Sequence, residues 1–287
     1  MKQIIETTRS VLQQRSSLAI FTGLYTLLLG ALYGFIATKD AKLWQVLLTL
    51  LFVAGAPVLF FLLQAAIINS ARAGRIAWSV VLRDSCRLAL LALPLILIGV
   101  GIVYLLNRWQ AHFPTPQLAR FPPAPGKPLP TLPTHWPTVL FAMARTLIFV
   151  IALPLAMIHL WVEVGNQNLI TFVRSGPWAV LKSLGQTLAR AFALESVFTY
   201  SLGLIVFGLI PYILLFVRVP LGGTWREVGV FSARLLLGFV FTLVGWVLTL
   251  STFARANDDV EAPIPAPSEG TSTEGEAQPP PSTTVAA

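Results

Sequence analysis

Apolar residues fall in six long blocks along this chain, and polar residues fall between them. The blocks are 18–37, 43–68, 88–106, 138–162, 198–216 and 231–254. The first, second, third and fifth contain no Asp, Glu, Lys or Arg; the fourth contains Arg145 alone and the sixth Arg234 alone. A helix rises about 1.5 Å per residue, so about twenty apolar residues cross the roughly 30 Å hydrocarbon core of a bilayer. The pattern predicts an all-α integral membrane protein of six transmembrane helices. Lys2, Arg9 and Arg15 precede the first block as the charged region of a signal peptide would. The block is longer than the 7–15 apolar residues of such a peptide, and Thr38-Lys39-Asp40 offers no small-residue cleavage site. It is therefore expected to be a retained helix.

The segments between blocks carry their own patterns. In residues 1–17, Ile4, Ile5, Val11 and Leu12 alternate with Lys2, Arg9 and Arg15, as in a short interfacial segment or an extension of the first helix. After the fourth block, Ser175-Gly176-Pro177 reads as a helix start. Leu181, Leu184, Leu188 and Phe192 then recur at steps of three and four, with Lys182 and Arg190 off that line. This is an interfacial amphipathic linker, or a connector packed on the bundle. Nine of the thirty-one residues 107–137 are proline, which predicts an extended strap on the outer face. Residues 255–287 hold six of the twelve acids and are rich in Pro, Ser and Thr, the composition of a disordered acidic tail. A weak internal similarity links Ile76-Ala-Trp78-Ser-Val-Val-Leu-Arg83 with Gly176-Pro-Trp178-Ala-Val-Leu-Lys182. Each tract lies between two blocks with an internal proline: Pro57 and Pro94, then Pro154 and Pro211.

Composition agrees with the block pattern. The chain is 55% hydrophobic and 11% charged, where soluble domains carry about 25% charged residues. The net charge of +8 suits contact with anionic lipid headgroups. The basic residues form no stripe, which argues against nucleic acid. Eleven Lys and Arg lie on the side of the N-terminus and seven on the other, with Arg145 and Arg234 inside blocks. The positive-inside rule then places both termini in the cytoplasm of a cell whose inner (plasma) membrane the chain crosses. The one cysteine, Cys86, cannot form an intrachain disulfide.

Candidate chemistry is concentrated in the fourth block. Arg145, His159, Glu163 and Asn166 fall on one face of a regular α-helix. His159 and Glu163, at i and i+4, can pair directly. A charge in the hydrocarbon core is costly, so such a face turns to a bundle interior or a wet cavity. The competing reading puts Arg145 at the outer headgroups, with the block starting near Thr146, and His159 and Glu163 at the opposite rim. Each mid-block proline frees a backbone carbonyl and can kink its helix. Gly23, Gly30 and Gly34 make a small-residue stripe for helix packing, with Gly238 and Gly245 similar on the sixth block. No nucleotide-binding, hydrolase or zinc-protease motif occurs, and His112 and His135 have no ligating companions, so no cofactor or metal is expected.

These features predict a non-catalytic structural, assembly or accessory membrane component, with a membrane-protein partner or a second copy of itself as the expected contact. The alternative is a small-solute or lipid transporter subunit that uses the polar face of the fourth helix.

Overall fold

The computed structural model describes residues 15–38, 42–113, 135–164, 182, 185–187, 189–217 and 224–261. All regular secondary structure among them is helical. Helix α1 is Arg15–Ala37, α2 Leu43–Ala73 and α3 Trp78–Gln110. Helix α4 is Trp136–Thr146, a π-helical stretch Leu147–Ala152, then Leu153–Val164. Helix α5 is Leu194–Leu204, a π-helical stretch Ile205–Leu209, then Ile210–Phe216. Helix α6 is Thr224–Glu261. Six helices among the described residues are long and apolar enough to cross a membrane.

The helices outrun the apolar blocks. A block stops at its first charge, whereas a helix stops only where a cap or a proline interrupts its hydrogen bonds. Helix α2 runs to Ala73 and ends where Gly74, at φ 66°, donates its N–H to Ser70 O. That left-handed conformation favours glycine. The Asn69 side chain accepts the Ala77 N–H at 3.0 Å, satisfying a donor at the start of α3. The connection between α2 and α3 is therefore a tight corner at residues 74–77, and no interfacial linker lies there. Helix α6 likewise continues to Glu261, so the boundary at 255 falls inside a helix. Residues 1–14, 114–134, 165–181 and 262–287 lie outside the described residues. Most of the interfacial N-terminal segment, most of the proline-rich strap, most of the amphipathic linker and the acidic tail from 262 fall there, while residues 15–17 of that N-terminal segment open α1. Of the linker, residues 185–187 and 189–191 are helical. Thr187 and Ala191 are buried, and Phe192, the last of the expected apolar line, is half exposed.

The two π-helical stretches share a cause. Each ends two residues before a proline, Pro154 in α4 and Pro211 in α5. Proline has no N–H and its ring crowds the carbonyl four residues back, so the backbone widens there. Pro57 and Pro94 sit within continuous α-helix instead.

Packing joins α1 to α2, α2 to α3, α3 to α4 and α5 to α6, and α6 returns onto α2 and α4. The buried core is confined to one end of this bundle. It is built from Phe21 and Leu24 of α1, Leu63–Ala71 of α2, Val81, Leu88 and Ala92 of α3, Leu155–Val162 of α4, Tyr200 of α5 and Leu243–Ala254 of α6. These are the halves nearest the N-terminus of α1. The opposite halves expose their large apolar side chains, among them Leu47, Leu50 and Leu51 of α2, Leu97 and Val100 of α3, and Leu236 and Val240 of α6. The bundle thus buries its side chains at one end, the closed end, and leaves large apolar side chains exposed at the other, the splayed end, where helices still meet in pairs such as Gly34 with Phe52 and Gly238 with Leu215.

Close helix contact depends on particular glycines. A Cβ at Gly245 would lie 2.8 Å from the backbone nitrogen of Phe207, in the π-helical stretch of α5. One at Gly34 would strike the ring of Phe52, joining α1 to α2. Among the described residues Gly23 and Gly30 meet nothing within 4 Å, and of the stripe on α1 Gly34 alone makes a close helix contact there.

Candidate functional site

Polar side chains gather at the two ends of the bundle, and each end is built on helix C-termini. The last carbonyls of a helix lack intrahelical partners and carry the negative end of its dipole. Arginines from neighbouring helices meet them. At the closed end, Arg72 of α2 donates from Nη2 to Val162 O near the end of α4 at 2.6 Å. Arg255 of α6 donates from Nε to Ala71 O near the end of α2 at 3.3 Å. At the splayed end, Arg234 of α6 donates to Val217 O, just past the end of α5. Arg145 of α4 donates from one nitrogen, Nη2, to the side-chain oxygens of Asn107, at 2.6 Å, and Gln110, both in the last turns of α3.

The residues of the expected polar face are divided between these ends. Arg145 sits level with the end of α3, at the splayed end. His159 and Glu163 sit at the closed end. Asn166 lies outside the described residues. On an unbroken α-helix the fourteen-residue separation of Arg145 and His159 would leave them about 40° apart. A residue absorbed by the π-helical stretch between them rotates everything beyond it by about 100°, which takes them off a common face. Glu163 is paired with Arg190 at 3.4 Å, not with His159. The His159 ring packs edge-on against Phe253 of α6, with centroids 5.0 Å apart. Among the described residues its buried Nε2 has no hydrogen-bond partner, and neither does the buried Nε1 of Trp161.

Two interhelical hydrogen bonds lie deeper, and sequence reasoning missed both. Trp246 Nε1 of α6 donates to Gln64 Oε1 of α2 at 2.7 Å, with Gln64 fully buried. Tyr200 of α5 donates its hydroxyl to Val150 O at 2.8 Å. Val150 lies in the π-helical stretch, where Leu153 N–H pairs with Ile148 O; the missing Pro154 N–H and the return from five-residue to four-residue spacing leave the carbonyls of residues 149 and 150 short of helical donors. The signals were present, an amide deep in an apolar block and a mid-block proline that frees a nearby carbonyl. Their partners are remote in sequence and could not be assigned from it.

Among the described residues no group of three or more His, Cys, Asp or Glu could hold a metal ion. Trp161, Leu155, Ile158, Val247 and Leu250, all but fully buried, fill the middle of the closed end. The arrangement serves to fasten helices: cations satisfy helix ends, and a few buried polar pairs fix register. No protein-family model matches the chain, no curated protein matches its sequence, and no solved structure matches its fold.

Proposed function

We propose that this chain is a multi-pass protein of the cell inner (plasma) membrane, with both termini cytoplasmic and no catalytic activity of its own. It acts as a structural, assembly or accessory component. The observation that carries this reading is the unequal packing of its two ends. The closed end is locked by buried side chains and by arginines on helix C-termini. The splayed end presents apolar helix faces that satisfy one another little and that lipid or other membrane helices can cover. Arg15, Arg72, Arg75, Arg83, Arg87, Arg190 and Arg255 belong to the closed end, which supports its placement on the cytoplasmic side.

A transporter is the second reading, favoured by the buried His159 Nε2, which has no hydrogen-bond partner among the described residues, beside the Glu163–Arg190 pair. Complementation of a gene deletion separates the two. For a structural component, Leu47→Ala, Leu50→Ala and Leu51→Ala together, on the splayed half of α2, lose complementation, while His159→Ala and Glu163→Gln retain it. The opposite pattern, joined to loss of a solute flux in proteoliposomes, overturns the structural reading.

A further inference from the structure

The splayed halves of α3 and α4 flank an open groove of about 480 Å³, within the roughly 300–1,000 Å³ range of ligand sites. Its walls are Ile96, Gly99, Val100 and Val103 of α3, with Phe149 and Leu153 of α4. A Cβ at Gly99 would lie 2.6 Å from Leu153 Cδ1, so the glycine lets the two helices close at the groove floor. The groove runs from Ile96 to Asn107. Those eleven residues rise about 16 Å, close to the roughly 15 Å depth of one leaflet's hydrocarbon.

The mouth differs in chemistry from the walls. Tyr104 and Asn107 line it. Asn107 and Gln110 together grip one nitrogen of Arg145, which fixes the guanidinium there. Arg108 lies one residue further along α3. Among the described residues no carboxylate lies within ion-pair distance of Arg145 or Arg108. Beyond the guanidinium, Phe113 and Phe141 pack with ring centroids 6.1 Å apart. An apolar trough one leaflet deep, with a positioned, carboxylate-free guanidinium at its rim, matches one ligand class in charge and in length.

We infer that this groove binds a glycerophospholipid of the leaflet facing away from the termini, with one acyl chain along Val100 and Val103 and the phosphodiester on Arg145. The inference rests on the membrane reading above. The guanidinium keeps donors for the phosphate oxygens while Asn107 and Gln110 hold its Nη2. The trough covers one side of the acyl chain and leaves the other to neighbouring lipid.

Native mass spectrometry of the detergent-purified full chain, titrated with palmitoyl-oleoyl phosphatidylglycerol, tests it. Arg145→Gln is expected to weaken the first lipid adduct about tenfold or more, the scale of a lost charge-assisted bond. Val100→Trp fills the trough, leaves the arginine in place and is expected to weaken the same adduct similarly. Arg145→Lys, which keeps the charge, recovers part of it. Arg226→Gln, an exposed arginine on α6, leaves it unchanged. Thermal unfolding of each variant identifies any that fail to fold, and the inference is then read on those that do. Equal adducts in folded Arg145→Gln, Val100→Trp and unmodified protein overturn the groove. Alkaline carbonate extraction of the unmodified chain from membranes tests the membrane reading separately: release into the soluble fraction refutes that reading, and retention leaves the groove result to stand alone.

Discussion

Replacing Tyr200 with Phe removes one oxygen and little else. Tyr200 is 2% exposed, and its hydroxyl donates to Val150 O at 2.8 Å across the α4–α5 contact. Pro154 has no hydrogen to offer that carbonyl, so the substitution leaves a backbone acceptor unpaired in an apolar interior. Such an orphan costs about 1–3 kcal/mol. Interhelical hydrogen bonds in membrane proteins average about 0.6 kcal/mol and reach about 1.7. The estimate for Tyr200→Phe is therefore a loss of about 1–2 kcal/mol, with side-chain volume nearly conserved. Pro154→Ala supplies an N–H and lets the π-helical stretch Leu147–Ala152 return to four-residue spacing, in which that N–H meets Val150 O. In that background the Val150 carbonyl has a local partner, and Tyr200→Phe should cost no more than about 0.5 kcal/mol. Reversible unfolding in mixed micelles, read for the four proteins of this double-mutant cycle, gives the coupling. Equal costs of Tyr200→Phe in the two backgrounds would refute the reasoning that the tyrosine replaces the proline's missing donor.

The glycine contacts predict unequal tolerance along the chain. Gly245→Leu should lose about 1–3 kcal/mol or more, because its side chain meets the Phe207 backbone, while Gly30→Leu, with nothing among the described residues within 4 Å, should unfold as the unmodified protein does. Trp246→Phe strands the buried Gln64 and should destabilise by about 1 kcal/mol beyond its packing loss. Adding Gln64→Leu should recover that part in the same unfolding assay, and strict additivity would count against the pair.

Block lengths in the sequence were enough to read six helices, because a charge-free run of about twenty residues has few other uses. Helix ends were not legible. Hydropathy records where apolar residues stop, and α2 stops at Gly74 because a left-handed cap forms there, past Arg72 and well past the block. The alignment of Arg145 with His159 assumed an unbroken α-helix, and the π-helical stretch before Pro154 invalidates that arithmetic. The prolines themselves were legible as sources of free carbonyls. Tyr200 as the partner was not, since fifty residues separate it from Val150. The unequal packing of the two ends was hidden for a different reason. Leu47 is exposed and Leu63 buried within one helix. Apolar residues meet lipid and protein equally well, so hydropathy does not distinguish the closed half from the open one.

A nitroxide scan of α6 in lipid nanodiscs tests that unequal packing most directly. Single cysteines are introduced in a Cys86→Ser background from 231 to 254, and oxygen accessibility is read at each. From 231 to 240 most positions are exposed, Gly238 against Leu215 being the buried exception, and from 243 to 254 buried positions dominate. High accessibility over the first stretch, falling sharply after Thr242, is the result this account predicts. A uniform helical periodicity along the whole of α6, with one buried stripe from end to end, would contradict it.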